Sequence, residues 1–155
     1  MAFFKKYYIN TTGEIDVLSI MADVNFAIRD SQVKEGLLTV VVPGAGASLF
    51  VMEGIKEAIE ELKIAFELFA GEGADGTDKY KQKVAIAPRV QSAVFGRTAS
   101  IPIVNFKLML EPYEEVFLAD FEKKGRRREF AILVIGEGAG QSQQGQKPPP
   151  QQKKK

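Results

Sequence analysis

The chain holds 155 residues, 45% apolar and 26% charged, the make-up of one globular domain with a real core. It has no His and no Cys, which excludes imidazole and thiolate metal sites, disulfides, iron–sulfur clusters, a Ser-His-Asp triad and a cysteine nucleophile. With 21 Lys and Arg against 20 Asp and Glu the net charge is only +1, so any chemistry falls to carboxylates, amines, guanidines, hydroxyls and backbone amides.

Residues 3–12 are rich in aromatic and β-branched side chains and predict a strand. Asp16 is placed to cap a helix running to about Asp30, with Val17, Ile20, Met21, Val24 and Ile28 at helical spacing. After Gly36, residues 37–42 form an unbroken apolar run up to Pro43, the pattern of a buried strand. Residues 43–48, PGAGAS, read as a small-residue loop, and residues 49–52 resume an apolar run. Residues 53–70 predict the clearest helix, striped by Ile55, Ile59, Leu62, Phe66 and Phe69, a stripe suited to core packing. A polar, Gly-rich loop over 71–83 leads to a short helix over 88–95, opened by Pro88 and closed by Gly96.

Four strand-like runs follow, at 100–104, 107–110, 115–121 and 129–135. Pro102 predicts an edge or bulge for the first. The segment EKKGRRR at 122–128 predicts a hairpin turn centred on Gly125 between the last two. This order suggests an α+β domain over residues 1–140: an antiparallel or mixed sheet core, sandwich-like, with helices packed on one side. Residues 141–155, QSQQGQKPPPQQKKK, offer nothing apolar to bury and predict a disordered tail. Without its four lysines the body carries 17 positive and 20 negative charges, a net −3. A solubilising terminus is the plain reading of the tail; binding of nucleic acid or an acidic partner is the alternative, and the net acidic body argues against nucleic acid.

No window approaches the roughly 18–20 apolar residues of a membrane helix. Lys5 and Lys6 break the apolar start before a signal sequence can form. The expectation is a cytoplasmic protein without membrane contact, metal or resident cofactor.

The PGAGAS loop is the first candidate site. Gly44 and Gly46 admit positive φ, successive amides can then form an anion nest, and Ser48 can add a hydroxyl. The loop lacks the lysine of a P-loop, and a tight turn between buried strands explains it equally well. Asp75 and Asp78 sit in a flexible stretch that could hold a cation weakly, though a solvated loop is the simpler reading. Glu114 and Glu115 point to opposite faces if residues 111–115 are extended, so one of them could face a cleft and act as a base; a polar strand connection is the alternative. The cluster Lys123, Lys124, Arg126, Arg127 and Arg128 suits a solvated hairpin tip that protects an edge.

Residues 42–49, VPGAGASL, followed by Glu53, resemble the strand-loop signature of the YjbQ-like proteins, the secondary thiamine-phosphate synthase family, which usually reads Pro-His-Thr-Thr-Ala-Ser-Leu with a later Glu. Residues 90–96, Ile101-Pro102-Ile103, residues 108–121, Arg126-Arg127-Arg128 and residues 134–137 resemble its further motifs in order, so the resemblance covers about residues 3–138. It implies the fold above, a homotrimer, and active sites near subunit boundaries. The departures fall in the pocket. Gly44, Ala45 and Gly46 replace the signature His and two Thr, Arg89 replaces the His that opens the short helix, and Tyr113-Glu114 replaces Trp-Gln. A divergent, non-catalytic homologue is the expectation, a homo-oligomeric structural or small-anion-binding protein. Its ligand residues would be Gly44, Gly46, Ser48 and Arg89, the last presenting a planar fork of donors. The alternative is a weak thiamine-phosphate synthase using Arg89 with Glu53 and Glu114 as catalytic carboxylates.

Overall fold

In a computed structural model, residues 1–70 and 75–140 are described. The tail at 141–155 and the start of the Gly-rich loop lie outside them. The elements in chain order are β1 (Ala2–Asn10), β2 (Asp16–Ser19), α1 (Met21–Ser31), β3 (Val33–Val41), β4 (Ala47–Glu53), α2 (Lys56–Ala70), β5 (Asp75–Thr77), β6 (Lys83–Ala85), α3 (Ala87–Phe95), β7 (Thr98–Val104), β8 (Lys107–Leu108), β9 (Glu114–Asp120) and β10 (Arg127–Gly138).

The strands form a five-stranded sheet in the order β1-β10-β3-β7-β8, a three-stranded sheet in the order β2-β9-β4, and the small hairpin β5-β6. Every pairing is antiparallel. The two larger sheets face each other with α1 beside the smaller. Tyr7, Leu38, Ile101, Phe130 and Ile132 from one sheet meet Leu49, Val116 and Leu118 from the other, with Val24 and Ile28 of α1. Strand alternation does the sorting: Val116 and Leu118 of β9 point into this core, while Ala119 and Phe121 point out toward α2. There Phe66 of α2 is packed edge-on against Phe95 at 4.7 Å and Phe121 at 4.9 Å between ring centres. All three helices thus lie on one side of the five-stranded sheet, and the fold is α+β as the element order suggests.

Three local expectations are corrected. Residues 16–19 are strand, not the first turn of a helix. They pair with β9, Val17 opposite Ala119 and Leu18 opposite Leu118. The Asp16 carboxylate accepts the Thr12 N–H at 2.6 Å instead of capping α1. Helical spacing over four residues is shared by a short strand, and the pairing with β9 decides. Residues 122–128 are not a hairpin turn: β9 and β10 belong to different sheets. The segment crosses between them against the β1–β2 connection, where Thr11 N–H donates to Arg126 O at 2.8 Å. A Cβ on Gly125 would sit 2.7 Å from Thr11 O, so the glycine serves close backbone approach rather than a turn.

Pro102 does not mark an edge or a bulge: its strand runs unbroken between β3 and the two-residue β8. Its carbonyl accepts Met109 N–H from the β8 side, so its missing N–H also falls on that side and costs no bond with β3.

Candidate functional site

The connection from β3 to β4 carries Gly44 at φ +88° and Gly46 at +94°. Both angles lie in the region that L side chains avoid. At Gly46 space also matters: a Cβ would meet Glu122 Cγ at 2.7 Å. The loop is held by its carbonyls. Arg97 Nη1 donates to Gly44 O at 3.1 Å, Arg128 Nη1 to Ala45 O at 3.5 Å, and Phe121 N–H to Gly46 O at 2.8 Å. Among the described residues, no N–H of Gly44, Ala45 or Gly46 donates to a protein acceptor.

Against this loop lies α3. Gly44, Ala45, Arg89, Ser92, Ala93 and Arg97 line one open cavity of about 310 Å³. The structure therefore brings two of the four candidate ligand residues, Gly44 and Arg89, to one place. Arg89 is anchored by Nη1 donating to Ala85 O at 2.9 Å. It stands in the first turn of α3, which holds no acidic residue, so a cation sits at the positive end of the helix dipole. Ser48 and Gly46 do not line the cavity. Ser48 is fully buried, its hydroxyl 3.5 Å from Ser92 O, and Ser92 in turn donates to Ala47 O at 2.5 Å. These two serines lace β4 to α3.

Glu53 and Glu114 end elsewhere. They stand directly opposite each other, the last pair of the β4–β9 ladder. Six strand steps separate Ala47 from Glu53, about 20 Å. Glu114 Oε1 accepts Glu111 N–H at 2.8 Å. Asp75 pairs with Lys83 at 2.9 Å, and Asp78 accepts the N–H groups of Tyr80 and Gln82; both carboxylates serve the β5-β6 hairpin. Among the described residues no group of three or more Asp or Glu is placed to hold a metal, and no helix is long and apolar enough to cross a membrane.

Two arginines escape a reading by residue type. Arg97 follows the glycine that closes α3 and reaches back to the loop. Arg128 is not on a solvated tip: it is 2% exposed, with Nε donating to Asp120 Oδ2 at 3.1 Å. Its parity offers the signal, since Arg128, Phe130, Ile132 and Val134 alternate along β10 and all point inward.

The family model for UPF0047 protein YjbQ-like matches residues 5–137. The chain belongs to the YjbQ-like family. A UPF0047 protein of Methanocaldococcus jannaschii is 26% identical over 133 residues, 85% of this chain and 94% of its own. One from Synechocystis is 30% identical over 119 residues, 74% of this chain and 79% of its own. Among solved structures, a YbjQ-like protein of unknown function from Sulfolobus solfataricus superposes with a TM-score of 0.77 at 16% identity, over 88% of this chain and 99% of that one. A YjbQ/UPF0047 protein of Clostridium acetobutylicum gives 0.74 at 18%, over 84% and 99%. These two structures share the fold. In this YjbQ-like chain the cavity beside the glycine loop is lined by the guanidinium-bearing Arg89 and Arg97 and by the backbone of Gly44 and Ala45.

Proposed function

We propose that this YjbQ-like chain is a homo-oligomeric, non-catalytic binder of a small phosphate-type anion, held between the Gly44–Ala45 amides and Arg89, with Arg97 beside them. The observation that carries the reading is the single cavity those four residues share. Its size lies at the low end for ligand sites. Free amides, a first-turn arginine with no acidic neighbour in that turn, and a second arginine make an environment that an anion neutralises. Guanidinium stays charged at any working pH, so binding would not switch off above neutrality as an imidazole site does.

A phosphate transferase built on Arg89, Glu53 and Glu114 finds less support. Within one chain the two carboxylates lie a whole strand length from the arginine.

Thermal unfolding tests the binder. Inorganic phosphate or pyrophosphate at about tenfold over its dissociation constant should raise Tm by about 3 °C or more. Arg89→Ala should abolish that rise while leaving Tm without ligand nearly unchanged. No rise at millimolar anion, or a rise that survives the substitution, rejects the site.

A further inference from the structure

A larger cavity, about 480 Å³, lies at the Glu114 end of the molecule, away from the glycine loop. One wall is a face of α1, where Met21, Asn25, Arg29 and Gln32 follow each other toward the helix C-terminus. The other wall is the segment from Phe106 to Glu114. Backbone bonds fix how the walls align. Ile20 N–H donates to Val116 O at 2.9 Å, which sets Glu114 beside the start of α1. Phe106 N–H donates to Lys34 O at 3.0 Å, which sets Phe106 and Lys107 beside its end.

The groove is therefore polarised. Glu111 and Glu114 mark one end, Arg29 and Lys107 the other, and Ile28, Leu108 and Leu110 add apolar lining. Lys107 and Glu111 have no ion-pair partner among the described residues. The cationic end is also rigidly set: Gln32 at φ 57° and Phe106 at φ 65° both hold left-handed backbone, a conformation that persists only where the surroundings enforce it.

We propose that this groove binds a short zwitterionic peptide in extended form, its amine at Glu111 and Glu114 and its carboxylate at Arg29 and Lys107. The length follows from the helix. Met21 to Arg29 spans eight residue rises, about 12 Å, the reach of about four extended residues. The side-chain amide of Asn25 offers a donor and an acceptor to peptide groups between the ends. The same charges also complement the α1 dipole, and the experiment separates the two roles. The site is distinct from the anion cavity and does not rest on it.

The probe is the tetrapeptide Ala-Leu-Leu-Ala, titrated calorimetrically into the full chain. The free peptide should bind, and N-acetylation or C-amidation should each weaken it about fivefold or more. Lys107→Ala and Glu111→Gln, both at exposed side chains, should do the same with Tm unchanged. Arg89→Ala should leave binding intact. No binding at millimolar peptide overturns the proposal. So does equal binding of the capped forms, which would leave the charges as helix-dipole partners only, and so does loss of binding in Arg89→Ala, which would move the peptide to the other cavity.

Discussion

Arg128 carries a full charge to a place that water does not reach. It is offset by Asp120, itself 1% exposed, and its Nη2 lies 3.7 Å from Glu122 Oε2 with no hydrogen bond of its own. Such a pair is costly to break because removal of one partner strands the other. Arg128→Met should lower the unfolding free energy by about 3–5 kcal/mol in urea titrations, and Asp120→Asn added to it should recover a large part. A double variant no more stable than the single would place the loss in packing instead. This residue also shows the limit of reading by type. The basic cluster is plain in the sequence, but nothing in its composition says that one of its members turns inward; strand parity does, once Phe130, Ile132 and Val134 are known to face the core. Gly44 is legible through turn chemistry, and Arg89 only through the family resemblance, which puts it in place of the His that opens the short helix. Arg97 is not, because its partner, Gly44 O, is 53 residues away.

At the scale of elements, Phe66 is the buried anchor of α2, with Leu62 and Phe69 packed beside it. Phe66 is 1% exposed, amid Phe50, Phe95 and Phe121. Phe66→Ala should cost about 3–5 kcal/mol by loss of burial and cavity formation, read as a lowered urea midpoint. If α2 instead detaches as a unit, far-UV ellipticity will fall before the sheets unfold, with two separate transitions. The stripe that predicts this helix is correct because fifteen residues give the 3.6 period room to declare itself. Four residues do not, which is why β2 reads as helix. The Gly125 segment misleads for another reason: two strands joined by a short polar link look like a hairpin, and only the pairing of β10 with β1 and β3 reveals the crossing.

At the scale of the whole molecule, the outer face of the five-stranded sheet carries exposed apolar side chains among polar ones, the Lys6–Glu129 ion pair and the Thr39–Ser100 hydrogen bond included. Phe4, Leu37, Val41, Val104 and Ile135 are exposed there, Phe4 by 61%, and the register places them on one side. Exposed apolar side chains grouped on one face suit an interaction surface, which is what the proposed homo-oligomer needs. Light scattering should give a mass above that of one chain, and Leu37→Lys with Ile135→Lys should reduce it to a monomer that still binds phosphate. A wild-type chain that is monomeric at micromolar concentration would remove the oligomer while leaving the anion site standing.

The pairing of β1 with β10 reaches from Ala2 opposite Ile135 to Asn10 opposite Arg127. Until β10 is available β1 has no partner strand, so its ladder closes late. Long-range closure of this sort slows folding. Meanwhile Phe3, Phe4, Tyr7 and Tyr8 are available for promiscuous association, and the lysines at positions 5 and 6 stand between them, a charged interruption of the type that keeps nascent aromatic stretches from clumping.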